Sequence, residues 1–546
     1  MSERALTYEA VQSKLAPAMA DATTVGDAVR AAASLWPDRD YLTFAPTGET
    51  LTFTDVHRQS NRLANALADI GVEPGDRVGI YYENSPAFVV AIYACAKLGA
   101  IQAPINWKYR EREVTHAIEA AEISTVLVQA DDDYHERLAP VAADYDTLER
   151  VAVTDGSIDL DGGDTYSLPS LLREASDDPP ARDVEYEDAF AIMYTSGTTG
   201  LPKPAVLTHR SYLLAAKSFL GAPLSPDGAN YNPYPLFHVN NQAYSMLGSL
   251  VLGGRYVLGD AFTASGFFDI VSQYDVTSFN LIGGVPKMLD ATYDEIPENS
   301  LDLAIGPISG ELWEPFEDRL DLDVVQIYSQ TESPVLLMNH PDLDARRVPA
   351  IGKPMFPDLG HEAWVQDEDG EELIGETGEL VRTDPGAMNG YWKRPEKTEE
   401  TLREGRIYSG DVARKDAEGF LYYVDRKKFM VRRGGENISA QEVENVIDEL
   451  PGVSESAVLP VPHDVLGEEV KALVQRRDDS ITERDIVDRV AETLAPYKVP
   501  RYVEFTESFP RTPTERIRRV QLADEEAERA DHGWDRNKEY PDWDEE

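Results

Sequence analysis

The sequence predicts an α/β protein built on parallel sheets, and three features predict it. Segments that read as strand and as helix alternate over about 420 residues, the pattern of sheets whose helices cross between parallel strands. From about residue 350 the texture changes to short strands punctuated by glycine, as in "ETGELVRTDPGAMNGYW" (376–392), which marks a small β-rich subdomain. A third region begins near 429, where "SAQEVENVIDELPGV" reads as helix and "KALVQRR" as strand. At 546 residues the chain is too long for one core and divides into domains.

Along the first region, 76–82 reads as strand, 86–99 as helix and 124–130 as strand. "AFAIMY" (189–194) is a short apolar strand, and "LTHRSYLLAAKSFL" (207–220) an amphipathic helix with Thr208 at its start. "VTSFNLIGG" (276–284) returns to strand. Sites in such sheets lie at the carboxyl ends of strands.

Composition narrows the function. Hydrophobic residues make up 42%, enough for a core, while 51 Lys plus Arg face 99 Asp plus Glu, a net charge of −48. The acid is spread along the chain, and lysine is scarce, 15 against 36 arginines. An otherwise ordinary globular composition of this kind predicts a halophilic protein solvated in concentrated salt. Its self-repulsion destabilises the fold at low salt and excludes nucleic acid, whose phosphates need a basic surface. The single Cys95 lies in the apolar "FVVAIYACAKLGA" (88–100), reads as core filler and permits no intramolecular disulfide. No run of 18 apolar residues occurs, and "MSERALTYEA" lacks a signal peptide's basic and apolar regions. The expectation is a soluble cytoplasmic protein without a membrane span; a homodimer stays open. Nine histidines and one cysteine show neither HExxH nor a Cys pair, which argues against structural zinc.

The chemistry-bearing stretch is "AIMYTSGTTGLPKPA" (191–205). Thr195, Ser196, Gly197, Thr198, Thr199 and Gly200 follow the strand, with Lys203 three residues further on. The glycines let successive amides turn toward an anion, the hydroxyls add donors, and Lys203 supplies a compact positive charge. This is a phosphate loop placed between strand and helix. It is not a Walker A loop, because Lys203 does not directly follow Gly200 and Pro204 stands where Ser or Thr would hold magnesium.

"YTSGTTGLPK" resembles the phosphate loop of the adenylate-forming superfamily, which includes acyl-CoA synthetases, peptide-synthetase adenylation domains and luciferases. The resemblance recurs in order along the chain, through "GVEPGDRVGIYYENSPAFVVAIYACAKLGAIQAPIN" (71–106), "PLFHVN" (235–240), "ISGELW" (308–313), "YSQTE" (328–332), "YSGDVARKDAEGFLYYVDRKK" (408–428) and "RRGGENISAQEVE" (432–444). The last is particularly similar to the carnitine/crotonobetaine-CoA ligase-like branch, which points to CoA as the thiol.

What the resemblance implies is a large N-terminal ATP- and acyl-binding domain (1–425) of two doubly wound sheets plus a small β-barrel. A hinge (426–428), a small mobile α+β C-terminal domain (429–523) and an acidic tail (524–546) follow. It further implies a two-step ligase. A carboxylate attacks the α-phosphate of ATP, giving acyl-adenylate and pyrophosphate, and a thiol then displaces AMP. Joining two anions demands neutralised charge and an in-line approach. Thr195 to Gly200 and Lys203 would hold the β- and γ-phosphates, and Glu332, with Thr195, the Mg2+. Thr331 would meet the α-phosphate. Ser309, Gly310 and Glu311 would line the adenine, Tyr328 would stack on it, and Ser329 and Gln330 complete that turn. Asp411 would accept both ribose hydroxyls beside Arg426, and His238 would gate the acyl and thiol channel. Lys428 would be the hinge residue, and Gly434, Gly435 and Glu436 would let the pantetheine arm of CoA pass. The acid itself is not readable, although Asn240, Asn241 and Gln242 hint at a polar or short substrate.

Three positions depart from the family pattern. Pro204 replaces a glycine, Ser329 replaces the Gly of Tyr-Gly-x-Thr-Glu, and in "PRTPTERIRR" (510–519) Arg516 takes the place of the adenylation lysine. Arginine keeps the charge but is planar and forked, so the change is not conservative at a point-charge site. A catalytic ligase using Arg516, a non-catalytic nucleotide- or acyl-binding relative, and an adenylating enzyme that delivers to another thiol all remain open at this point.

Overall fold

The computed structural model describes the chain outside residues 1–5, 130–131, 145–147, 155–163, 196–201, 283, 340–345, 428, 434–435, 464–465, 495, 512–516, 528, 530 and 540–546. It forms two compact units, the first comprising Met1–Ala363 and Val381–Tyr408, the second Trp364–Leu380 and Ser409–Glu546.

The first unit is built on two large, mostly parallel sheets, as the alternation predicts. One has eight strands, its middle formed by Ala189–Thr195, Ile101–Pro104, Arg77–Tyr81 and Thr125–Val128 in that order. The other has seven, including Ala229–Asn232, Arg255–Leu258, Ser278–Asn280 and Leu303–Ile305. Their central strands are buried on both faces, so Thr125–Val128 and Ile101–Pro104 carry buried residues at every position rather than alternating. Pro86–Leu98 is the helix predicted around Cys95. Ser85 caps it by accepting from the Phe88 amide, it ends on Gly99 at φ 78°, and Cys95 is fully buried.

One local expectation changes. The loop after Ala189–Thr195 does not run into a helix. It returns as a second strand, Lys203–Thr208, antiparallel to the first, with Thr195 directly opposite Lys203. "KPAVLT" is an apolar run that fills the sheet beside "AFAIMYT", and the capped helix His209–Phe219 follows it from Thr208. Pro204 is accommodated as a strand residue. Its carbonyl accepts from the Trp392 amide at 2.8 Å, and its missing N–H falls beside the two-residue edge strand Gly390–Tyr391, where proline is tolerated.

In the second unit, Ala440–Asp448 and Glu483–Thr493 pack on a sheet around Val453–His463, Gly467–Arg476 and Tyr502–Thr506. These are the helix and strand expected from 439 and 471. Leu421–Arg426 pairs with the strand Arg406–Lys415 over residues 411–415. Among the described residues no helix is long and apolar enough to cross a membrane.

Candidate active site

Several residues of the first unit that the sequence marks converge at the mouth of the hairpin formed by Ala189–Thr195 and Lys203–Thr208. Ser196 to Gly200 lie outside the described residues, but both ends of their loop are defined by the Thr195–Lys203 pair. The Thr195 hydroxyl is buried beside the Tyr391 phenol. Lys203 Nζ donates to Tyr391 Oη at 3.1 Å and sits 4.3 Å from the ring centroid. Tyr391 in turn donates to Glu332 Oε1 at 2.6 Å. Burial, and next the Glu332 carboxylate, push the phenol's pKa well above its ordinary value, so it stays protonated.

Glu332 and Thr331 occupy the tip of a two-residue hairpin between Ile327–Gln330 and Ser333–Met338, closed by the Gln330–Ser333 pair. The ladder slips between Tyr328 and Gln330, at Ser329. The backbone at Ser329 is not left-handed, so no glycine is required there. The hairpin is pinned from below by residues that sequence reasoning missed. Asp384 Oδ2 accepts from Ser333 Oγ at 2.6 Å and from the Val335 amide at 3.1 Å. Arg382 donates to the carbonyls of Ser333 and Val335, lies 3.9 Å from Asp384, and sits 5.4 Å from the centroid of the Tyr328 ring. Both side chains are wholly buried. The only local signal was charge in "VRTD", inside an otherwise apolar strand pattern.

Elsewhere in this unit, Ser309 occupies the N-cap position of the helix Gly310–Leu320 without a side-chain capping bond, and Glu311 lies in its first turn. Gly310 is required by crowding, because a Cβ there would stand 2.7 Å from Pro349 Cβ. His238 packs its ring 4.6 Å from that of Phe237, just before a π-helical stretch, Asn240–Met246. π-Turns often mark functional sites. The amides of Asn241 and Gln242, however, are spent inside the protein, as is the oxygen of Asn240. Asn241 bonds the Tyr234 carbonyl and Tyr256 hydroxyl, Gln242 bonds Gln102, Tyr212 and the Leu236 carbonyl, and Asn240 accepts from Asn280. For Asn241 and Gln242 the hint of a polar substrate therefore loses its basis.

In the second unit, Asp411 and Arg426 stand opposite each other in register, with Arg426 Nε 2.9 Å from Asp411 Oδ1. The Arg426 Nη1 also donates to the Ser409 carbonyl at 2.9 Å, and Ser409 Oγ accepts from the Asp411 amide at 3.1 Å. Next to them the buried Asp425 accepts from Ser439 Oγ and the Gln441 amide, each at 3.1 Å, joining this strand to the helix Ala440–Asp448. Arg433 and Glu436 pair across a tight turn; Gly434 and Gly435 between them lie outside the described residues, as do Lys428 and Arg516. The chain flanking Arg516 is closed by an Arg511–Ile517 bridge, and Arg519 pairs with Glu444. Burial pushes the Glu444 carboxyl up to about 8 against the opposing pull of Arg519.

The comparisons decide the family. A sequence profile described as AMP-binding enzyme matches residues 29–392, and one described as AMP-binding enzyme C-terminal domain matches 442–516. This chain belongs to the AMP-binding enzyme family. It is 35% identical over 484 residues to a feruloyl-CoA synthase of Amycolatopsis sp, covering 86% of this chain and 93% of that one. It is 28% identical over 478 residues to the crotonobetaine/carnitine–CoA ligase of Proteus mirabilis, covering 84% and 90%. The anthranilate CoA ligase AuaEII, solved with anthranoyl-AMP, superposes with a TM-score of 0.83 at 25% identity, over 92% of this chain and 97% of that one. This is the adenylate-forming kinship that the motifs of this AMP-binding enzyme resemble.

Proposed function

We propose that this chain, an ATP-dependent, AMP-forming acyl-CoA ligase, converts a carboxylic acid, ATP and CoA into acyl-CoA, AMP and pyrophosphate through an acyl-adenylate. The observation that carries the proposal is the cluster at the hairpin mouth. A buried hydroxyl, an ammonium and a carboxylate meet there, in a donor set that suits phosphates accompanied by magnesium. Magnesium keeps most of its shell as water and phosphate oxygen and needs one or two carboxylates from protein. Glu332, with Thr195, fits that demand, and the ion arrives with ATP as part of the substrate.

In this reading Lys203 and the loop it closes hold the β- and γ-phosphates, so that repulsion between the attacking carboxylate and ATP falls. Thr331 and the adjoining Gln330, Ser329 and Tyr328 border the α-phosphate and base, with Ser309, Gly310 and Glu311 along the adenine. Asp411, with its two acceptor oxygens and no donor, suits the cis-diol of ribose. Arg516 bridges the incoming carboxylate and the α-phosphate, Lys428 is the hinge, His238 gates the acyl channel, and Gly434, Gly435 and Glu436 border the CoA arm. Two of the named relatives carry feruloyl and anthranilate in their names and the third crotonobetaine or carnitine, so aromatic acids and carnitine-type acids head the list of substrates to test. The acidic, lysine-poor surface supports work inside a cell of high salt.

Acid-dependent ATP–pyrophosphate exchange tests this. In molar KCl, a panel running from acetate through medium-chain acids and carnitine to ferulate and anthranilate should give exchange with at least one acid, and CoA should then yield the thioester. No exchange with any acid, alongside measurable ATP binding, replaces the ligase by a non-catalytic binder.

A further inference from the structure

The geometry points to Tyr391 as a positioning residue for the magnesium–ATP end of the site, an inference that rests on the adenylating reading above. Tyr391 belongs to none of the motifs that carry the chemistry. Its phenol oxygen nevertheless bonds both charged groups at the hairpin mouth, donating to Glu332 at 2.6 Å and accepting from Lys203 at 3.1 Å. The directions follow from the groups themselves. An ionised carboxylate has no proton to give and an ammonium no lone pair to offer, so the bonds run from Lys203 to Tyr391 to Glu332.

That arrangement solves a problem of charge. An ammonium and a carboxylate this near each other in a half-buried site attract strongly. Closed into a direct pair, Lys203 would be diverted from phosphate and Glu332 from magnesium. The phenol accepts one bond from Lys203 and donates one to Glu332, and so keeps both charges apart and aimed. The ring is 4% exposed, packed in the core, and cannot swing aside.

The backbone around Tyr391 makes the same connection independently. The Met388 amide donates to the Glu332 carbonyl at 3.0 Å, and the Asn389 and Trp392 amides donate to Val206 and Pro204 at 2.9 and 2.8 Å. Thr398 Oγ1 accepts from the Tyr391 amide at 2.9 Å, fixing the residue from the helix Pro395–Thr401. Residues 388–392 thus strap the turn that carries Glu332 to the strand that begins at Lys203. A tyrosine in this strap sets where the carboxylate points, and through it the affinity of the site for the metal carried by ATP.

Tyr391→Phe tests the inference, because it keeps the ring and removes one oxygen. Mn2+ titrated into the enzyme–ATP complex and followed by electron paramagnetic resonance reads the metal directly, without acid or CoA. The dissociation constant for Mn2+ is expected to rise about tenfold, as on removing a group that orients a metal-ligating carboxylate. Metal-free ATP affinity in EDTA should fall by less than the Mn2+ affinity, within about threefold, because Lys203 loses one aiming contact but keeps its charge beside the phosphates. In a Glu332→Gln background the same Phe change should cost less than about twofold, because the phenol acts through Glu332. Tyr391→His keeps an aromatic ring and a donor nitrogen, offers a second folded variant, and should recover part of the affinity. Unchanged Mn2+ affinity in Tyr391→Phe, or an undiminished loss in the Glu332→Gln background, overturns the inference alone. A wild-type protein that binds no ATP with Mn2+ present overturns the adenylating reading with it.

Discussion

Asp411 and Arg426 face each other across an antiparallel ladder, and Arg426 Nε rests 2.9 Å from Asp411 Oδ1. Asp411 is 3% exposed, and the Arg426 guanidinium lies against its carboxylate. A carboxylate that accepts two sugar hydroxyls discriminates ribose from deoxyribose. Asp411→Asn should weaken AMP binding about tenfold to a hundredfold, the 1.5–3 kcal/mol of hydrogen bonds to a charged group. The variant should also lose the preference for ATP over 2′-deoxyATP. Calorimetric titration of both nucleotides checks it; a retained preference removes Asp411 from the ribose.

Arg382 and Asp384 hold the Glu332 hairpin by bonds to Ser333 and Val335. Removing one member of a buried pair leaves the other charged and uncompensated, at a cost of about 3–5 kcal/mol. Arg382→Met should therefore lower the melting temperature sharply and raise KM for ATP, while a surface change such as Arg30→Met does neither. Equal melting curves for the two variants would exclude the anchoring role.

His209 and His361 are buried, and burial above all lowers the pKa of each to about 4. The unfolded imidazoles titrate near 6.5, so between about pH 6.5 and 4 the unfolded chain binds more protons. Stability contributed by the neutral rings is thus complete above about 6.5 and is lost as the pH falls, at up to about 1.4 kcal/mol per pH unit for each ring. His361→Asn should reduce the slope of melting temperature against pH across that window at constant KCl. Parallel slopes for wild type and variant would sink the assignment.

The net charge of −48 predicts salt dependence. At 1 M salt the screening length is about 3 Å, against about 10 Å at 0.1 M, so repulsion between neighbouring acids emerges on dialysis. Melting temperature and activity should both fall as KCl is removed and recover when it is restored. A flat response rules out a salt-adapted surface.

Arg516 carries the adenylation step in the proposed mechanism. Arg516→Ala should abolish acid-dependent exchange, whereas Arg516→Lys should not raise the rate more than tenfold, about 1.4 kcal/mol of barrier. A larger gain in initial-rate measurements would mean that the natural arginine impairs the reaction.

Much of this protein is legible in its sequence, because much of it is local. Alternating apolar strands and capped helices set the order of elements. Thr208 caps its helix, Ser85 caps another, and Gly99 ends it, each by chemistry confined to a few neighbours. The motifs that carry the family are likewise contiguous in sequence.

Only the tertiary structure decided what those motifs touch. Tyr391 lies 59 residues from Glu332 and 188 from Lys203, and no spacing within "NGYW" announces a bond to either. Arg382 and Asp384 look like strand-end charges until burial shows that they hold a distant hairpin. Asn240, Asn241 and Gln242 invite a polar ligand in sequence, yet packing brings protein partners to all three. The chain after Ala189–Thr195 returns at Lys203 as a second strand because the sheet offered "KPAVLT" a place beside "AFAIMYT". Local propensity selects the elements. Which side chains share a buried polar bond depends on how remote segments pack, and unpaired polar groups in the core cost too much to be left to chance.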